Sequence, residues 1–92
     1  MMQREELAAM LREALIKRSR IRIETVRDGD RLMADCGLDS FAVLNVILDI
    51  EDRLDIEIDP ARLVEVREVT FAGFVTLVAS EIERQAPGRF AP

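Results

Sequence analysis

One short stretch of the 92-residue chain gathers residues that could do chemistry: Asp35-Cys36-Gly37-Leu38-Asp39-Ser40. Ser40 stands where an apolar periodic segment begins. Its hydroxyl is therefore expected at the start of a helix, exposed, close to unpaired backbone N–H groups and the positive end of the helix dipole. A phosphate ester suits that place. Gly37 can adopt a left-handed backbone conformation and turn the chain sharply into the helix. Asp39, beside the hydroxyl, is placed to help hold a Mg²⁺ ion that also takes a phosphate ligand. Against this stands a plain alternative, in which Asp39 or Ser40 merely caps the helix. For an Asp-Ser pair taken alone, the cap is the better reading.

The remaining reactive groups offer less. The sequence contains no His, which removes the usual base for a Ser or Cys nucleophile and a common zinc ligand. Lys17 and the carboxylates could act as bases in principle, but catalysis by this chain alone is not expected. Cys36 is the single cysteine, so it cannot close an intramolecular disulfide, and it reads as a small buried hydrophobe. Asp28, Asp30 and Asp39 fall at positions 1, 3 and 12 of a calcium loop, yet Met33 replaces the glycine that such a loop needs at position 6. That match is rejected. The cluster Lys17, Arg18, Arg20 and Arg22 lacks interleaved aromatics and reads as a solvated helix end, or as an ion-pairing partner of the acidic second helix.

The elements that must position Ser40 follow from periodicity. Leu7, Met10, Leu11, Ala14 and Leu15 recur at three- and four-residue steps and predict a first helix from Glu5 to Lys17. A long connection, Ser19 to Asp39, follows. Its alternation Ile21-Arg22-Ile23-Glu24-Thr25-Val26 resembles a strand but has no partner in the sequence, so it is expected as extended loop whose apolar residues, with Val26 and Leu32, tuck onto the helices.

Ser40 to Leu54 predicts a second helix with two apolar rows. Val43, Val46, Ile47, Ile50 and Leu54 form the core stripe; Phe41, Leu44 and Leu48 form a second row. That second row either completes the core or faces a partner, and the residue pattern weighs the two about equally. Asp59-Pro60 opens a short helix to about Val66. Thr70 caps a last helix, Val69 and Phe74 have staple spacing, and Phe71, Phe74, Val75, Val78 and Ile82 make its inner face. Pro87-Gly88 ends it. The expected fold is all-α: a small four-helix bundle of three longer helices and one short one, with a long loop between the first and second. Residues 1–86 form one domain and 87–92 a disordered tail.

Composition limits the partners. The net charge is −5, with 8 basic and 8 acidic residues up to Asp39 but 5 basic and 10 acidic from Ser40 onward. An acidic C-terminal half argues against nucleic acid and favours partners with basic docking surfaces. No apolar run approaches the roughly 20 residues that cross a bilayer, and the Met-Met-Gln-Arg-Glu-Glu start lacks a signal-peptide core, so a soluble, cytoplasmic monomer is expected.

Gly37-Leu38-Asp39-Ser40-Phe41, followed by Leu44, Leu48, Glu51 and the run Leu54-Asp55-Ile56-Glu57-Ile58, resembles the acyl carrier protein signature. Motif, spacing, helix order and acidity agree over nearly the whole chain. The resemblance implies that Ser40 bears a covalent 4′-phosphopantetheine, installed from coenzyme A by a phosphopantetheinyl transferase with Asp39 on the Mg²⁺ side. Acyl groups would ride on the arm as thioesters. The second helix, through Phe41, Leu44, Leu48, Glu51 and Asp52, would dock the loading, condensing or modifying enzymes of the pathway. Two departures stand out: Ala42 and Asn45 occupy positions that are acidic in the common fatty-acid carriers. They point to a specialised or secondary-metabolite pathway. The alternatives are a free-standing peptidyl or aminoacyl carrier, and a helical interaction domain that carries no arm.

Overall fold

The computed structural model describes residues 2–59, 61–62 and 69–88. Its helices are α1 (Arg4–Arg18), α2 (Ser40–Leu54) and α3 (Phe71–Gln85), and there is no strand among the described residues. The bounds of α2 are those expected from its apolar rows, and α1 extends one residue further at each end than expected. Glu5 and Glu6 in the first turn of α1 and Lys17 and Arg18 in its last turn complement the helix dipole.

Helix α1 packs against both α2 and α3. It contributes Leu7, Leu11, Ala14 and Leu15 to the core. α2 contributes Val43, Val46, Ile47, Ile50 and Leu54, and α3 contributes Phe71, Phe74, Val75, Val78 and Ile82, all buried. Complete burial of one such side chain stabilises by about 1.5–3 kcal/mol, against about 0–1 kcal/mol for a surface ion pair. The apolar stripes therefore set the helix arrangement, and the ion pairs trim it. The Thr70 hydroxyl caps α3 by accepting from Gly73 N at 3.1 Å, as its position predicts.

Residues 19–39 join α1 to α2 without a helix or strand. Their middle is fastened to the start of α3: Phe71 N donates to Asp30 O (2.7 Å), Ala72 N to Asp28 O (3.0 Å) and Leu32 N to Val69 O (3.2 Å), around an isolated bridge between Arg31 and Thr70. Arg12 of α1 completes this joint. Its Nε donates to Val26 O at 2.9 Å while its guanidinium lies 4.9 Å from the Phe71 ring centroid, a cation–π contact. Val26 and Leu32 are buried as expected and Ile23 is half-buried, but Ile21 is 52% exposed, contrary to expectation. The cause is the short strap Ser19–Ile21, whose polar groups bond to the serine turn and turn the Ile21 side chain outward.

After α2 the chain bends at Asp55, a non-glycine residue in the left-handed region with φ 54°. Ile56 and Ile58 return to the core. Glu51 Oε2 accepts from Ile58 N at 2.8 Å, and the Gln85 side chain bonds both backbone groups of Glu57. Asp59 Oδ1 accepts from Ala61 N at 2.9 Å, and Ala61–Arg62 form a 3₁₀ turn. The rest of the short helix expected to reach Val66 lies outside the described residues, as does the tail from Arg89. Three α-helices, rather than four helices, are therefore present among the described residues.

Candidate functional site

The serine turn is built from both of its neighbours in sequence and from the exit of α1. Gly37 has φ +66°. A Cβ there would also lie 2.4 Å from Ile21 Cγ1 and 3.0 Å from Ser19 Oγ, so glycine is required twice, for conformation and for approach. The approach serves hydrogen bonds. Arg20 N donates to Gly37 O at 2.8 Å, and Ser19 Oγ lies 2.6 Å from Cys36 O and 2.7 Å from Ile21 O.

Those bonds decide where α2 starts. The carbonyls of Cys36 and Gly37 are the ones that Ser40 N and Phe41 N would use if the helix ran one turn further back. They are bonded to the strap instead. Asp39 is the N-cap, with Oδ1 accepting from Ala42 N at 2.7 Å. The cap reading is thus correct for Asp39 and incorrect for Ser40, which is the first helical residue. The Asp39 carboxyl is held below the usual aspartate value, first by that N–H; desolvation opposes it, and the Arg20 guanidinium adds to the lowering. Arg20 Nε lies 2.7 Å from Asp39 Oδ2.

The chain has three serines. Ser19 is occupied in the strap, and Ser80 donates to Leu77 O at 2.8 Å from within α3. Ser40 is exposed, and among the described residues its hydroxyl makes no hydrogen bond. Beside it lie the first-turn amides of Ser40 and Phe41, which make no hydrogen bond among the described residues, and that turn holds no acidic side chain. An exposed hydroxyl, unpaired N–H donors and a positive helix end fit a phosphodiester chemically. Half-exposed Asp39 fits a transient divalent cation.

The second apolar row is exposed: Phe41 68%, Leu44 43% and Leu48 51%. These side chains do not complete the core. The row runs into a shallow open depression lined by Leu48, Glu51, Asp52, Asp55, Ile56 and Ile58. Two acidic residues of this helix are engaged within the chain. Glu51 binds Ile58 N, and Asp49 takes a bidentate contact from Arg18, closest at 2.9 Å, the ion pairing with α1 that the basic cluster allowed. Asp52 is exposed. Ala42 is buried, whereas Asn45 is half-buried with its amide donating to Phe41 O at 3.0 Å. Of the two departures, then, only Asn45 alters the rim of the exposed row. Cys36 is fully buried, and burial followed by Asp30 and Asp35 pushes its thiol up, away from reactivity.

A protein-family model described as a phosphopantetheine attachment site matches residues 7–70, from the first buried leucine of α1 through the serine turn to the cap of α3. The chain belongs to this family of phosphopantetheine-binding carrier domains. No curated protein and no solved structure gave a match. The carrier's cofactor is accordingly a covalently attached 4′-phosphopantetheine. No helix among the carrier's described residues is long and apolar enough to cross a membrane.

The sequence did not reveal two features of this carrier. The Ser19–Arg20 strap depends on side-chain and backbone contacts across 17 residues, which no periodicity marks. The second is buried Glu81, at 2% exposure, which bonds Arg62, Arg84 and Gln85. A signal for it existed: Glu81 stands three residues after Val78, on the inner stripe of α3.

Proposed function

We propose that Ser40 bears the arm and that the protein is a dedicated acyl carrier of a specialised pathway. The observation that carries this reading is the contrast among the serines: only Ser40 combines an exposed, unbonded hydroxyl with a helix N-terminus. In the transfer, the Ser40 oxygen bonds to the pantetheine-side phosphorus of coenzyme A. The phosphoanhydride bond breaks, adenosine 3′,5′-bisphosphate leaves with the electron pair, and the hydroxyl proton passes to a base of the transferase. Asp39, capped through Oδ1 by Ala42 N, would be the carrier residue that helps hold the Mg²⁺ of the transfer, which would neutralise charge on the pyrophosphate. The arm, when attached, supplies a thiol that holds acyl groups as thioesters. The carrier's own contribution is to present them at raised local concentration.

Phe41, Leu44 and Leu48, rimmed by Asp52, are the docking row for the transferase and for loading, condensing or modifying enzymes. Their exposure supports this role. Exposed apolar side chains aligned along a single helix seldom lack a partner. Asn45 on the rim of the row stands where the common fatty-acid carriers have a charge that steers encounter, which favours partners other than a general fatty-acid synthase set. Asp39 before the serine favours an acyl over a peptidyl cargo. The test is incubation with coenzyme A, Mg²⁺ and a permissive transferase, followed by intact mass. A gain of one phosphopantetheine is expected. A folded protein without that gain would return the row to a plain interaction domain, and efficient replacement of a housekeeping fatty-acid carrier would refute the specialised assignment.

A further inference from the structure

The Asp39 carboxylate has two oxygens with different duties. Oδ1 caps α2, and Oδ2 is taken by Arg20 Nε at 2.7 Å. Arg20 is delivered there by its backbone rather than by the reach of a loose side chain. Its own N–H is bonded to Gly37 O at 2.8 Å, Ser19 Oγ lies 2.6 Å from Cys36 O, and the neighbouring Ile21 packs on Gly37.

We propose that Arg20 is a latch on the acceptor turn: by occupying Asp39 Oδ2 in the unmodified carrier, it competes with the divalent cation of the transfer reaction and sets how much of it the turn requires. This inference rests on the reading of Ser40 and Asp39 given above. Competition, not orientation, is the role that the geometry gives Arg20. The backbone holds the carboxylate through Oδ1, by the Ala42 N–H at 2.7 Å with Asp39's own N–H beside it, so its placement does not depend on Arg20. The two side chains are also 66% and 45% exposed, so the pair is of the weak, exchangeable surface kind. A hard divalent cation prefers carboxylate oxygen and can displace it. Arg22 provides the comparison: it is exposed, carries the same charge, and forms no ion pair among the described residues.

The experiment compares the wild-type carrier with Arg20→Gln and Arg22→Gln. Initial rates of arm addition are followed by intact mass at saturating coenzyme A while Mg²⁺ is varied. Arg20→Gln is expected to lower the half-maximal Mg²⁺ concentration by about two- to fivefold, the span that a surface ion pair permits. Arg22→Gln should leave it unchanged. A half-maximal concentration that is equal or higher in Arg20→Gln overturns the latch.

A second readout needs no transferase. In the carrier without its arm, the Asp39 carboxyl ¹³C titration should move up in Arg20→Gln and stay put in Arg22→Gln. Adding Mg²⁺ should perturb the Arg20 Nε–H resonance of the wild type. An Asp39 titration unchanged in folded Arg20→Gln overturns the latch even where Ser40 accepts the arm. A wild type that accepts no arm overturns the attachment reading instead, and the latch is then decided by whether Mg²⁺ perturbs the Arg20 Nε–H resonance, an unperturbed resonance overturning it.

Discussion

Asp39 and Glu81 are both carboxylates paired with arginine and held below the usual carboxylate value, yet they are built to opposite ends. Glu81 is 2% exposed and takes Arg62, Arg84 and Gln85 together. It ties the chain after α2 to the end of α3. Asp39 has one backbone donor and one exposed arginine. A buried carboxylate with several donors cannot exchange a partner without leaving a charge unsatisfied, whereas an exposed one exchanges cheaply. The fold places the immobile carboxylate at the end of the bundle remote in sequence from Ser40, and the exchangeable one beside it.

The comparison breaks most visibly at Glu81. Glu81→Ala should destabilise by about 2 kcal/mol in urea unfolding, because charged hydrogen bonds to a buried group are lost while Arg62 and Arg84 recover water. Asp39→Ala should lower the thermal midpoint less, and its main effect should be slower arm addition. Gly37→Ala comes next. It forces a left-handed backbone on a residue with a Cβ, at about 1–2 kcal/mol, and it pushes Ile21 off the turn, an exposed side chain that can yield. Hydrogen exchange at Arg20 N–H should quicken in that variant.

Acid titration sharpens the same contrast. Arg84 first, then Gln85 and Arg62, hold the folded Glu81 carboxyl down against the effect of burial. Its contribution is therefore complete above the unfolded glutamate value of about 4.3 and is lost as pH falls through the lowered folded value. Glu81→Gln should remove that acid-side loss, measured as stability against pH. Asp39→Asn should change the same curve less. Smallest of all is Phe41→Ala, which should leave stability within about 0.5 kcal/mol and alter only partner binding.

The sequence made α2 legible because two apolar rows at helical spacing leave one arrangement of fifteen residues, with Val46 and Ile50 inside. It also marked Ser40, since glycine, aspartate and serine each answer a separate demand of a loop entering a helix. What it left hidden is instructive. Ile21 reads as a residue to be buried, but the hydrogen bonds of Ser19 and Arg20 to Cys36 and Gly37 outweigh the burial of one side chain. Glu51 reads as a docking charge, and the sequence gives no sign that its carboxylate also accepts from Ile58 N. Both are polar contacts between residues far apart or across a bend, and hydrophobic periodicity carries no record of such contacts.

The most direct measurement of the central claim is a tryptic map of the carrier after reaction with coenzyme A and a transferase. Cleavage after Arg18, Arg31, Arg53 and Arg67 puts Ser19, Ser40 and Ser80 in separate peptides, with Ser40 alone in residues 32–53. One phosphopantetheine is expected on that peptide, with fragmentation placing it on Ser40, and none after Ser40→Ala. An arm on either other peptide, or one that persists in folded Ser40→Ala, would contradict it.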